Sequence, residues 1–434
     1  MVVSFYGNFR TWVLQNVHAA VRVLPNKVGE NMKSIEKVKK FGGLQNMIAD
    51  RVFRLSGEGA FEVLAQAKKL EKAGKHIIHL EIGEPDFDTP ENVKEKAIQA
   101  IQDGHTYYVP SYGIDDLREA VVVYMQRTRG VKVVPEEVVV TPGAKPVIFL
   151  GFLLLLQPGD EVIYPNPGFP AYRSIIEFVG AKSIPLQLRE ENDFRVDIDE
   201  LKKLITPRTK MLVLNSPHNP TGSRLLAEDM EEIAQVVVEE DLMVFSDEVY
   251  SEIVYDGDHV SILQYPGMKE RTILLDAFSK TYAMTGWRLG YAVLPRELAG
   301  YLSLLMMNSN SCTCTFTQMA GAEALLYSSD SVRNMTQEFR RRRDFLYERI
   351  HQIEGVQIVK PSGAFYYFPN IKSFGFTSRE MASYLMEEAG VALLPGTCFG
   401  DQGEGYLRIS FSNSLENISE AMDRIELALK KLKV

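Results

Sequence analysis

Residues 272–291 read TILLDAFSKTYAMTGWRLGY. The run ending at Ala277 is apolar and too short for a helix, so it reads as a buried strand. Lys280 stands just beyond its end, between Ser279 and Thr281, and Arg288 follows on the far side of a Gly-containing turn. Burial lowers the pKa of an amine and leaves it a usable nucleophile of the kind that forms Schiff bases. A lone lysine at a strand end more often only caps the strand, so the meaning of Lys280 depends on the residues around it.

Working outward, five further stretches share the pattern of TILLDA: EEVVVT, DEVIYP, KMLVLN, LMVFSD and LGYAVL. Helix-period segments such as 225–240 separate them. Alternation of this kind marks an α/β protein built on a mostly parallel sheet. Beyond about residue 330 the pattern changes. A long charged helix, SVRNMTQEFRRRRDFLYERIHQI, precedes SGAFYYFPN and GYLRISFS, which read as strands of a second layer. The expected division is a large domain over 91–330 and a smaller, discontinuous α+β domain from 47–90 and 331–434.

Composition narrows the function. The 434 residues carry a net charge of −9, which argues against nucleic acid as a partner, since phosphate binding needs clustered Lys and Arg. Three cysteines, Cys312, Cys314 and Cys398, form no C-x-x-C pair, so neither a disulfide framework nor a thiolate metal site is indicated, and a reducing cytoplasm fits. The longest apolar run, VIFLGFLLLL at 147–156, is about half of what spans a bilayer. It reads as a buried helix. Residues 1–50 differ, with seven basic against three acidic side chains. We read 1–46 as an N-terminal extension, either an appended helix or the product of an upstream start codon, without a convincing cleavage signal.

In open α/β sheets, ligands bind at the carboxyl ends of the strands. Asp247 ends LMVFSD, where a buried carboxylate is costly without a cationic partner such as a protonated pyridine nitrogen. Tyr250, three residues on, offers a phenol to a ring oxygen of the same ligand. Asn219 lies in the Pro-bounded turn of NSPHNPTG, able to donate an amide N–H. Gly143 and Ala144 open a helix after EEVVVT, so free backbone N–H groups face an anion, to which Ser279 and Arg288 add a hydroxyl and a charge. Each piece also has a plain structural reading: Asp247 as a helix cap, Tyr250 as a core aromatic, Asn219 as a turn former. Together they describe a pyridine ring with a phosphate arm.

The chain resembles the class I and II aminotransferases, pyridoxal-phosphate enzymes of fold type I. The resemblance rests on GEPDF, YVPSYGIDDLREA, TPGAK, PGDEVIYPNPGFPAY, NSPHNPTG, SDEVY, SKTYAMTGWRLGY and LRISFS, which occur in family order from about residue 55 to the C-terminus. It implies a large domain with a mostly parallel seven-stranded sheet and a smaller α+β domain. By position, it makes Lys280 the lysine that carries pyridoxal 5'-phosphate and Asp247 the partner of the pyridine nitrogen. Tyr250 and Asn219 would contact the ring oxygen, and Phe169 would stack on the ring. Gly143, Ala144, Lys145, Ser279 and Arg288 would surround the phosphate. Tyr108 would reach the phosphate of a partner subunit, which implies a homodimer with shared sites. Arg408 would grip the substrate α-carboxylate, and Gly83 would meet it through its backbone. One departure stands out: Ala277 occupies a position where many relatives carry a hydroxyl for the phosphate.

The resemblance implies transfer of an amino group from an L-amino acid to a 2-oxo acid such as 2-oxoglutarate, with aspartate, alanine, aromatic amino acids and diaminopimelate all open as donors. The segment NSNSCTCTFTQ is expected to border the pocket. A β-eliminating lyase on the same scaffold is the alternative. A ligand-sensing regulator is more remote, since 1–50 lacks a two-helix DNA-binding pattern. No metal, nucleic acid or membrane is expected.

Overall fold

β-branched and other apolar residues dominate the runs that form the central sheet, and their strands are buried on both faces, as expected where helices cover both sides. The computed structural model describes residues 48–57 and 59–432. The expected N-terminal extension, 1–46, lies outside them. Arg51–Val434 forms one compact unit.

The first strand, β1 (Ile78–His79), belongs to a peripheral pair. The next seven form the main sheet: β2 (Val138–Thr141), β3 (Glu161–Asn166), β4 (Lys182–Gln187), β5 (Thr209–Asn215), β6 (Met243–Asp247), β7 (Thr272–Ala277) and β8 (Gly290–Val293). Their spatial order is β2-β8-β7-β6-β5-β3-β4. β8 runs antiparallel to β2 and β7, and the remaining pairs are parallel. Six of these strands coincide with the six apolar runs. The seventh, β4, reads KSIPLQ and is only partly buried. It lies at the sheet edge, where Pro185 removes no ladder hydrogen bond that the sheet needs.

The charged helix after residue 330 spans Ser329–His351. Beyond it come β9 (Tyr366–Tyr367), β10 (Val391–Ala392), β11 (Leu394–Pro395) and β12 (Leu407–Ser410). β12 lies between β11 and β9 in an antiparallel sheet, and β10 pairs in parallel with β1. Residues before 90 therefore pack with residues after 331. This pairing supports the division at 90/91 and 330/331, which we propose as the boundary between two lobes. No helix among the described residues is long and apolar enough to cross a membrane.

Two features brace the ends of β6 and β7. The helix Asp115–Arg129 stops at Gly130, which takes the left-handed conformation, and delivers Arg129 into the interior with no exposed side-chain surface. Its guanidinium donates to Glu248 and Asp276 at 2.7 Å each, and to the Ser251 hydroxyl at 3.0 Å. His259 stands 2.8 Å from Glu248, and Tyr291 donates to Asp276 at 3.1 Å. Burial opposes ionisation of Glu248, but His259 and Arg129 hold its pKa at about 2. The second feature is the loop GEPDF at 83–87, which is clamped by Arg342. That guanidinium pairs with Asp86 at 2.7 Å and lies between the rings of Phe87 and Phe339.

Breaking a buried ion pair by removing one partner costs about 3–5 kcal/mol. Arg129→Met leaves buried Asp276 without its cation and Glu248 with His259 alone, so it should lower the stability from urea unfolding by about that amount, measured at fixed protein concentration and neutral pH. A midpoint equal to wild type would show that the cluster does not brace the strand ends.

Candidate active site

The register of the sheet brings the strand ends together at one edge. Asn215 of β5 lies opposite Asp247 of β6, Asp247 opposite Leu275 of β7, and Ala277 opposite Gly290 of β8, which in turn faces Thr141 of β2. Asp247 is one of these ends; Gly143, Ala144, Asn219, Tyr250, Ser279 and Lys280 follow the ends of β2, β5, β6 and β7, Arg288 precedes β8, and Phe169 follows β3.

Asp247 is 4% exposed. Its carboxylate accepts from the Tyr172 hydroxyl at 2.5 Å and from the Val249 backbone N–H at 3.3 Å. The second bond is the local turn bond that a strand-end Asp makes, so the capping reading holds alongside any other. No Lys, Arg or His pairs with this carboxylate among the described residues. Burial pushes its pKa to about 7, against the two bonds just named, and Asp276 and Glu248 push in the same direction as burial. Phe169 meets Tyr172 edge-on, with ring centroids 5.7 Å apart, so Phe169 and Asp247 are joined through Tyr172.

The turn after β5 is held from beneath. Asn215 donates its side-chain amide to the Asp247 carbonyl at 3.1 Å and accepts from the Asn219 backbone N–H at 3.0 Å. The Asn219–Pro220 peptide is cis. His218 is buried and neutral, its pKa lowered to about 3 by burial, and its Nδ1 lies 2.7 Å from the Thr221 hydroxyl. Asn219 Oδ1 then accepts from Arg408 at 3.3 Å.

Arg408 on β12 is 4% exposed. It also donates to the Glu81 carbonyl, and its carbon lies 4.4 Å from the Tyr366 ring centroid and 5.0 Å from that of Phe399. No carboxylate pairs with it among the described residues, and its buried Nε has no hydrogen-bond partner. Burial lowers its pKa. The site thus holds a buried carboxyl and a buried guanidinium that do not pair with each other.

Lys280 lies on the short helix Phe278–Thr281 after β7 and is partly buried. Its amine donates to the Gly83 carbonyl at 2.5 Å, so the GEPDF loop reaches it as well. Tyr250 is buried and its hydroxyl is 2.8 Å from that of Tyr366. A side chain at position 83 would place its Cβ 2.2 Å from the Tyr366 hydroxyl, so only glycine fits.

On the β2 side, Gly143 has φ 96° and caps the helix Ala144–Leu155 without a side-chain bond, which leaves the backbone N–H groups of that first turn without a side-chain cap. Arg288, exposed and itself left-handed at φ 54°, covers this turn: a Cβ on Gly143 would meet its guanidinium at 2.3 Å. Ser279 is buried and Lys145 is exposed. Ala277 is buried and donates its N–H to Asp276 at 2.7 Å. Tyr108 is 88% exposed and points out of its own chain. The segment 308–318 packs beneath this loop, where Thr315 donates to the Tyr107 carbonyl at 2.8 Å.

The structure thus places Asp247, Asn219 and Arg408, with Lys280, Gly83 and Tyr250, in one connected set, and Gly143, Ala144, Ser279 and Arg288 beside it. Reading the sequence missed Tyr172, Asn215 and Tyr366. Tyr172 stands within the quoted PGFPAY and Tyr366 within SGAFYYFPN, but nothing local marks either as a partner of residues 75 or 116 positions away.

Comparison with known proteins identifies the family. The family described as aminotransferase class I and II matches residues 75–425. The aromatic-amino-acid aminotransferase 2 of Thermococcus litoralis is 44% identical over 362 residues, 82% of this chain and 93% of that protein. The aspartate aminotransferase of Pyrococcus abyssi is also 44% identical, over 364 residues, 83% of this chain and 93% of the other. The structure of the aspartate aminotransferase of Thermus thermophilus with maleate superposes with a TM-score of 0.84 at 37% identity, covering 88% of this chain and 99% of that one.

The Asp247 carboxyl binds its proton more tightly in the folded chain than at its ordinary 3.8. Its contribution to stability is therefore full below about pH 4 and is lost as pH rises to about 7. Without cofactor, wild type should lose on the order of 4 kcal/mol more stability than Asp247→Asn over that interval. Parallel pH dependences of the two urea midpoints would show that Asp247 ionises as an ordinary carboxylate.

Proposed function

The chain belongs to the class I and II aminotransferases and is a pyridoxal-phosphate-dependent transaminase; from that premise we propose that the pocket built on Lys280, Asp247 and Arg408 is its active site. The carrying observation is the pair of buried, oppositely chargeable groups, Asp247 and Arg408, that have no ion-pair partner among the described residues. A ligand with a protonated ring nitrogen at one end and a carboxylate at the other neutralises both.

The residues present fit pyridoxal phosphate. When bound, it supplies an aldehyde that condenses with amines and a protonated ring that accepts the electron pair of a broken Cα–H bond. Lys280 would hold it through its amine. Asp247 would hold a proton on the ring nitrogen, because a cation beside it would restore the ionised carboxylate that burial otherwise disfavours. Tyr250 and the Asn219 amide would donate to the ring oxygen, and Phe169 would cover one ring face. The backbone of Gly143 and Ala144, the Ser279 hydroxyl and Arg288 would hold the phosphate, with Lys145 at its margin. Ala277 adds only packing there.

Arg408 binds the substrate α-carboxylate as a planar fork, and the Gly83 backbone borders the same group. Lys280 would hold and move the proton at the substrate Cα, as general base and then acid. Turnover alternates: one amino acid leaves its amino group and departs as a 2-oxo acid, and a second 2-oxo acid takes that group up. The curated relatives bear the names of aspartate and aromatic-amino-acid enzymes, so we place the donors in those two classes, with 2-oxoglutarate as acceptor. Tyr108 supports a homodimer in which each chain completes the phosphate site of the other. We place the enzyme in the cytoplasm.

Lys280→Ala should lose covalent cofactor labelling by borohydride at position 280 and at least about 10³-fold in turnover. A variant that retained both would refute the role of the lysine. Mixing the holoenzyme with single amino acids and following the cofactor absorbance identifies the donor directly: aspartate or an aromatic amino acid should convert it. Conversion by neither would overturn the substrate assignment and leave the reaction class standing.

A further inference from the structure

Tyr366 stands at the crossing of the two halves of this site, although it is absent from the set that the sequence singles out. It lies on β9 opposite Ser410 of β12. Arg408, two residues along the same face of β12, is its diagonal neighbour, within reach of long side chains. The Tyr366 ring therefore underlies the Arg408 guanidinium at 4.4 Å, while its hydroxyl reaches to 2.8 Å from that of Tyr250. Gly83 leaves the space for that hydroxyl, and the Gly83 carbonyl receives the Lys280 amine. One side chain thus touches the carboxylate clamp, the phenol and the loop that meets the lysine.

Counting protons assigns the direction of the bond. A phenol has one proton to donate. Burial pushes both phenols up, so each keeps its proton. Among the described residues, each hydroxyl has the other as its sole hydrogen-bond partner. Only one of the two protons can lie between them. If Tyr250 donates to the cofactor ring oxygen, the proton between the phenols comes from Tyr366.

We propose that Tyr366 is a positioning residue that donates to Tyr250, so that Tyr250 presents its own proton to the cofactor ring oxygen, while the Tyr366 ring supports Arg408. The assignment rests on the reading that Tyr250 faces the cofactor. A donor that itself accepts a hydrogen bond is polarised and donates more strongly. The proton that titrates in the bound cofactor is shared between the ring oxygen and the nitrogen joining it to Lys280. Each outside donor on that oxygen weakens its hold and lowers the pH of the absorbance transition. The titratable groups facing Tyr366 are Tyr250 from the segment after β6 and Arg408 from β12. The Lys280 amine lies on the carbonyl of adjacent Gly83.

The test is a pH titration of holoenzyme absorbance in wild type, Tyr366→Phe, Tyr250→Phe and the double variant. Tyr366→Phe should move the transition up by roughly half a unit, the scale of one hydrogen bond, and Tyr250→Phe should move it further. In the Tyr250→Phe background, Tyr366→Phe should add nothing. Because phenylalanine keeps the ring under Arg408, KM should change less than about twofold in Tyr366→Phe, whereas Tyr366→Leu should raise it roughly 3- to 10-fold. A Tyr366→Phe transition at the wild-type pH, with Tyr250→Phe shifted, would overturn this inference and leave the Tyr250 reading intact. An equal shift in the Tyr250→Phe background would mean that Tyr366 acts without Tyr250, which also overturns it. No shift in either single variant would defeat the Tyr250 reading itself.

Discussion

Asp247 and Glu248 are consecutive carboxylates at the end of one strand, and the chain treats them in opposite ways. Glu248 turns towards Arg129 and His259, and its pKa is held at about 2. Asp247 turns the other way, meets a phenol and a backbone N–H, and is driven to about 7. A buried carboxylate left without a cation is unstable on its own, and it persists only where the surroundings over-determine its position. Here the surroundings are the parallel ladder of β5, β6 and β7, whose strands are almost wholly buried. The Arg129 cluster fixes the residues immediately beside Asp247 and Ala277 without lending its charge to Asp247. Asp247 is thereby left without a cationic partner among the described residues, as the proposed cofactor site requires.

Arg408 is the converse case, a guanidinium with two carbonyl acceptors, two aromatic faces and no carboxylate. It comes from a strand far along the chain, and its place over the pocket depends on the segment 81–87. The Glu81 carbonyl accepts from it, the Gly83 carbonyl accepts from Lys280, and Asp86 pairs with Arg342 through its carboxylate and donates its backbone N–H to the Ser412 hydroxyl. One short loop thus links Arg408, the proposed carboxylate clamp, to Lys280, the proposed proton carrier. A displacement of that loop would disturb both together, which is how positioning by remote residues enters a rate.

The sequence displays those parts of the protein that depend on neighbours in the chain. Continuous apolar runs disclosed six strands of the main sheet, and Lys280, Asp247 and Asn219 stood out because each directly follows a run. β4 did not, since an edge strand needs little apolar surface and tolerates Pro185. β9 shrank from the expected SGAFYYFPN to Tyr366–Tyr367 because Ala364 is left-handed, at φ 53°, and Pro369 cannot continue the ladder. The Tyr172–Asp247, Arg129–Glu248 and Tyr250–Tyr366 pairs were not legible, because each is made across the fold by residues whose local sequence is satisfied by ordinary core packing.

The same division separates reaction from substrate. In the proposed active site, groups common to all amino acids, the amine and the α-carboxylate, would be met by Lys280 and Arg408, which are placed by contacts to the 81–83 segment. The groups around the outer pocket belong to another class: Tyr107 and Tyr108 are largely exposed, and the 308–318 segment meets them through a backbone carbonyl. Selectivity is a difference between affinities, and contacts of this outer kind can change without disturbing a buried charge. Two relatives equally similar to this chain carry the names of an aromatic-amino-acid and an aspartate enzyme, as expected if selectivity resides in such outer contacts.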